Sequence, residues 1–86
     1  MYYVYILKSE TTGRYYCGQT NNLSKRISQH NDPMNTFTRT TSRQQGPWVL
    51  FTHFSCESRQ EALRLERRIK KRGIKRFLIS RGIIEG

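Results

Sequence analysis

The sequence predicts an α+β domain around a small sheet, with its elements in the order ββαβαα. Three observations predict it. Two runs of aromatic and β-branched residues near the start are separated by a turn too short for a crossover. A third such run follows a polar stretch near the middle of the chain. Capping residues followed by apolar positions at helical spacing mark helices between and after these runs.

Residues 2–8 read as the first strand, with Tyr3, Tyr5 and Leu7 on one face and Tyr2, Val4 and Ile6 on the other. Ser9 to Gly13 carries turn chemistry, and Gly13 can take a positive φ. Arg14 to Gly18 reads as the second strand, antiparallel to the first. Asn21 or Asn22 caps a helix that carries Leu23, Arg26, Ile27 and His30. That helix ends near Asn31 or Asp32, because Pro33 disfavours helical geometry in the residue before it. Residues 33–46 are polar and read as a surface loop whose basic residues are Arg39 and Arg43. Trp48 to Phe54 is the third strand. Ser58-Arg59-Gln60-Glu61 has the capping-box pattern. The helix it opens, Arg59 to about Lys71, carries Ala62, Leu65 and Ile69 as one apolar stripe. Gly73 interrupts it, and Ile74, Phe77 and Leu78 mark a short final helix with Gly82 as its stop.

At 86 residues the chain is one domain. A domain of this size buries only roughly 60–65% of its unfolded surface, so the core is small. Sixteen Lys and Arg face six Asp and Glu, a formal net charge of +10. Such a body attracts polyanions. Nucleic acid is the first candidate, because phosphate neutralisation supplies most non-specific affinity; an anionic membrane surface and a plain solubilising charge are the alternatives. Cys17 and Cys56 form no CxxC pair. The apolar start lacks a basic leader and a cleavage site. No apolar run approaches the ~20 residues of a membrane span. The expectation is a soluble, cytoplasmic protein with reduced thiols.

Three sets of residues carry candidate chemistry. Glu66 sits within the apolar stripe of its helix, four residues after Ala62 and three before Ile69. A carboxylate there needs compensation, either from a metal ion or from a cation such as Lys70 one turn on. Arg26 and His30 lie one turn apart on a helix face and either grip a phosphate together or form part of a solvated face. Tyr5 and Tyr16 lie on the two strands of one hairpin and, depending on register, project from the same face. They are either core aromatics or acid–base groups. The second role requires a pKa lowered from about 10, which nearby cations promote.

Taken together in this order, these residues resemble the GIY-YIG nuclease superfamily, and more closely its short stand-alone members. The first half-motif appears as Tyr3-Val4-Tyr5, with Tyr where the family has Gly, and the second as Tyr16-Cys17-Gly18, with Cys where it has Ile. Tyr16 to Arg26 looks like the family's second strand and following helix. Arg26 matches its catalytic arginine, His30 a histidine four residues later, and Glu66, in Ala62-Leu63-Arg64-Leu65-Glu66, its metal-holding glutamate. Lys70 matches a lysine often found one turn later, and Gly46-Pro47-Trp48-Val49-Leu50 resembles the third strand of the stand-alone members. The resemblance spans residues 2 to about 78. Cys17 reads as an apolar filler with no catalytic role.

The resemblance implies a three-stranded antiparallel sheet flanked by helices, and an endonuclease that hydrolyses phosphodiester bonds with one divalent cation, Mg²⁺ or Mn²⁺, on Glu66. It implies that Arg26 stabilises the transition state and that Tyr5, Tyr16 and His30 activate and orient the attacking water. Lys25, Arg39, Arg43, Arg67, Lys70, Lys71 and Lys75 are the expected nucleic-acid contacts, with DNA preferred over RNA. A domain this small leaves room for a homodimer or a protein partner to supply specificity. The competing readings are a nucleic-acid-binding module without catalysis, a nuclease subunit that needs a partner, and a small basic interaction protein.

Overall fold

The computed structural model describes residues 1–32 and 47–86. Its elements are β1 (Tyr2–Ser9), β2 (Tyr15–Thr20), α1 (Leu23–Asn31), β3 (Trp48–Cys56), α2 (Arg59–Arg72) and α3 (Ile74–Ser80). The order is the ββαβαα expected. The predicted loop at 33–46, with Arg39 and Arg43, lies outside the described residues.

The three strands form one antiparallel sheet in the order β2-β1-β3. β1 is central because it is apolar on both faces: Val4, Tyr5, Ile6 and Leu7 are all buried. The β1–β2 turn is organised by Ser9, whose buried hydroxyl accepts from the backbone N–H groups of Thr11 and Thr12. Gly13 takes φ 75° there, as its lack of a β-carbon allows. Arg14 is used in closing this turn, its carbonyl accepting from Ser9 N–H. The second strand therefore starts at Tyr15 rather than Arg14, and it runs on to Thr20.

The sheet separates two apolar clusters. On one face Val4, Ile6 and Cys17 pack with Ala62 and Ile69 of α2 and Phe77 and Leu78 of α3. On the other, Tyr5, Leu7 and Trp48 pack with Tyr16 and with Leu23 and Ile27 of α1. The starts of α1 and α2 are capped as the sequence implies. The Asn22 side chain accepts from Lys25 N–H at 3.1 Å, and Ser58 Oγ accepts from Glu61 N–H at 3.2 Å. The Glu61 carboxylate reaches back one residue further than the capping box requires, to Glu57 N–H. Gly73, at φ 99°, ends α2 and opens α3.

Candidate active site

The β1–β2 register decides the site. Tyr5 pairs with Gly18 and Leu7 with Tyr16, so both tyrosines project from the α1 face. Tyr5 Oη lies 2.8 Å from Nε2 of His30, which is buried on the last turn of α1. The His30 ring stands edge-on to both phenol rings, with centroids 5.7 Å from Tyr5 and 4.8 Å from Tyr16.

Two further contacts fix this cluster. Asn31, beside His30, donates from its amide to the Trp48 carbonyl at 2.8 Å and accepts from Trp48 N–H at 2.7 Å. It thereby ties the end of α1 to the start of β3. Sequence reasoning gave Asn31 no role beyond a helix terminus. Gly18 supplies the space: a β-carbon there would lie 2.5 Å from Tyr5 Oη.

A cavity of about 220 Å³ opens at this cluster, lined by Tyr5, Tyr16, Gly18, Gln19, Arg26, His30 and Glu66. All five predicted catalytic positions therefore meet in one place. Glu66 arrives from α2, on the opposite side of the sheet from α1. The two layers meet at β2, which is an edge strand and carries no side chain at Gly18. Gln19, which the sequence reading left out, enters with them, and its Oε1 is buried with no hydrogen-bond partner.

Burial sets the electrostatics. It is the main cause that pushes the Tyr5 hydroxyl well above its ordinary range, with Tyr16 adding to the effect and Arg26 opposing it. The expected lowering by cations is therefore outweighed, and Tyr5 stays protonated at neutral pH. Burial, reinforced by the Arg26 charge, pulls His30 down to about 4, so the imidazole is neutral. Burial also pushes the Cys17 thiol up to about 12, consistent with an inert filler. Cys56, at the end of β3, is raised by burial and then by Glu61, so it is not an activated thiol.

Glu66 is largely buried, its side chain 19% exposed, and its Oε2 accepts from Lys70 Nζ at 2.8 Å. The cation expected to compensate it is thus Lys70, whose pKa this hydrogen bond raises. Lys70 also stands 5.9 Å over the Tyr16 ring. It makes both contacts while its side chain stays half exposed. Among the described residues no three His, Cys, Asp or Glu side chains are grouped to hold a metal. The donor set fits only a hard cation bound through one carboxylate, with water and phosphate oxygens completing its shell. Of the other predicted contacts, Lys25, Arg67, Lys71 and Lys75 are exposed.

A family model for the GIY-YIG catalytic domain matches residues 1–76. The chain belongs to the GIY-YIG family. Its resemblance to short members also holds. It is 34% identical over 71 residues to a UPF0213 protein of Nitratidesulfovibrio vulgaris, a match covering 83% of this chain and 61% of that one. The solution NMR structure of the UPF0213 protein BH0048 from Bacillus halodurans superposes with a TM-score of 0.54 at 31% identity. That superposition covers 93% of this chain and 84% of the other. The GIY-YIG fold is a nuclease fold, and the cavity described above lies within its matched span. No described helix is long and apolar enough to cross a membrane.

Proposed function

We propose that this GIY-YIG protein is a metal-dependent endonuclease hydrolysing phosphodiester bonds in DNA. The observation that carries the reading is the buried Tyr5–His30 hydrogen bond inside a cavity that Arg26 and Glu66 also line.

Tyr5 cannot act as a preformed phenolate, because its hydroxyl is held protonated. It acts as a relay. With the His30 proton on Nδ1, Nε2 accepts the Tyr5 hydroxyl proton while the Tyr5 oxygen takes one from the attacking water. The low pKa of His30 keeps that acceptor free of a proton at neutral pH. The water oxygen forms a bond to phosphorus, the bond from phosphorus to the 3′ oxygen breaks, and solvent protonates the leaving oxygen. Arg26 faces the phosphate and stabilises the charge that develops on it. Tyr16, packed on the His30 ring, orients the water. When bound on Glu66, Mg²⁺ or Mn²⁺ supplies Lewis acidity that polarises the phosphate and eases departure of the 3′ oxygen.

The test is cleavage of labelled duplex, nicked, flap, branched and single-stranded substrates, in DNA and RNA, with Mg²⁺, Mn²⁺ or EDTA. Wild type, Glu66→Ala and Tyr5→Phe are compared. Metal-dependent cutting that both variants lose, with binding retained, supports the reading. Salt-sensitive binding without cutting under any metal overturns it in favour of a binding module or a partner-dependent subunit.

A further inference from the structure

Arg26 lines a second cavity as well as the catalytic one. That cavity, of about 230 Å³, is shared by Gln19, Thr20 and Asn21 at the end of β2 and by Arg59 at the start of α2. Gln19 and Arg26 line both cavities, so the two adjoin. The second lining contains two guanidinium groups and no carboxylate. It suits an anion, whereas the first holds Glu66.

Helix geometry aligns the two. Arg59 precedes Glu66 by seven residues, two turns of α2. The two side chains therefore share a helix face about 10 Å apart along the axis. Lys71 lies beyond Glu66 in the other direction on α2, and Lys75 follows on α3, after the break at Gly73. Gln19, which lines both cavities, has its Oε1 buried without a partner. A buried acceptor in that state is costly until a donor arrives. A nucleotide brings such a donor on the amino or imino groups of its base, and a phosphate for Arg59.

We propose that Arg59, Asn21 and Gln19 form a subsite for the nucleotide next to the one whose phosphate faces Arg26. The substrate strand then runs from the catalytic cavity towards the start of α2. The subsite rests on the reading of Arg26 as a phosphate-facing residue. Arg59 is a binding residue here, exposed on the first turn of its helix, so its substitution leaves the core intact.

The test is binding in EDTA, which needs no cleavage. Short fluorescent deoxyoligonucleotides, each with one linkage neutralised as a methylphosphonate, are titrated by anisotropy over a range of salt. Wild type, Arg26→Gln, Arg59→Gln and the double variant Lys71→Gln/Lys75→Gln are compared, with circular dichroism as the control for folding. For Arg59→Gln the slope of log affinity against log salt is expected to shrink by about one. The penalty for neutralising one linkage is expected to vanish, and that linkage neighbours the one to which Arg26→Gln becomes indifferent. The double lysine variant keeps both penalties. An Arg59→Gln profile indistinguishable from wild type overturns the subsite, even if the protein cuts DNA in Mg²⁺. A protein that never cuts but shows the Arg59-dependent linkage supports the subsite and overturns only the nuclease reading.

Discussion

Gly18 stands opposite Tyr5 in the β1–β2 register, and a β-carbon on it would lie 2.5 Å from the Tyr5 hydroxyl oxygen and 2.7 Å from the carbon that bears it. Tyr5 has nowhere to go, being 2% exposed and hydrogen-bonded to His30. Gly18→Ala is therefore expected to cost about 1–3 kcal/mol by overpacking. Displacing the hydroxyl is expected to lower kcat about 100-fold. Thermal melts and single-turnover cleavage check the two effects. Cys17→Val, one residue away in the apolar cluster, is the contrast: stability within about 1.5 kcal/mol of wild type and kcat unchanged. Equal loss of activity in both variants would argue against the Gly18–Tyr5 contact as the cause.

The acid side of the stability profile should carry the signature of His30. In the unfolded chain this histidine takes its proton near pH 6.5, while in the folded protein burial holds it near 4. Above about pH 6.5 both states hold it neutral, and the folded state bears no penalty. As pH falls from there to about 4 the unfolded state gains a proton that the folded state refuses, so stability is lost. The loss amounts to about 3 kcal/mol when complete. Denaturant titrations from pH 7 to 4 on wild type and His30→Asn measure it as the difference in slope between the two. An NMR titration that places His30 near 6.5 in the folded protein would remove the basis of both this prediction and the relay.

The fold, and the five candidate positions that line one cavity, were legible in the sequence for different reasons. Strand alternation and two capping signals located the elements, but strand ends moved: the second strand starts at Tyr15 and runs to Thr20, and the third runs past Phe54 to Cys56. Alternation alone left the hairpin register open, and that register puts Tyr5 and Tyr16 on one face with Gly18 as the space between the layers. Gln19 was missed because on a strand it reads as the neighbour facing away from Gly18. It reaches the cavity only because β2 is an edge around which two layers meet. Arg59 was hidden within a capping box, and Asn31 at a helix end whose partner, Trp48, comes 17 residues later. Lys70 was named as a contact to nucleic acid and also as a partner for Glu66. Charge spacing does not distinguish the two, and the structure places it on Glu66.

Lys70 draws on the same carboxylate that is proposed to hold the divalent cation. The ammonium holds Glu66 Oε2 at 2.8 Å, yet its own side chain is half exposed. A pair exposed to that degree is worth at most ~1 kcal/mol. Lys70→Met is expected to tighten Mn²⁺ binding by up to about fivefold, the ratio to which that energy corresponds. Glu66→Gln is expected to abolish Mn²⁺ binding in either background. Electron paramagnetic resonance of free Mn²⁺, or calorimetric titration, reads this without substrate. Weaker Mn²⁺ binding in Lys70→Met would mean that the lysine positions the carboxylate rather than competing for it.

The basic run beyond Glu66 should act on affinity and leave chemistry alone. Lys71 and Lys75 are exposed and line neither the catalytic cavity nor the one beside it. A cation that neutralises one phosphate contributes about 0.9 to the salt slope on duplex DNA. Lys71→Gln/Lys75→Gln should therefore shrink that slope by about two, weaken binding to unrelated sequences alike, and leave kcat at saturation unchanged. Arg26→Gln should do the reverse, changing the slope by about one while lowering kcat 100-fold or more, about the loss seen when one donor to a developing oxyanion is removed. Anisotropy titrations from low to moderate salt, beside cleavage at saturating substrate, separate the two behaviours. A drop in kcat for the double lysine variant would place the scissile strand along the end of α2 and the start of α3, contrary to the path over Arg59.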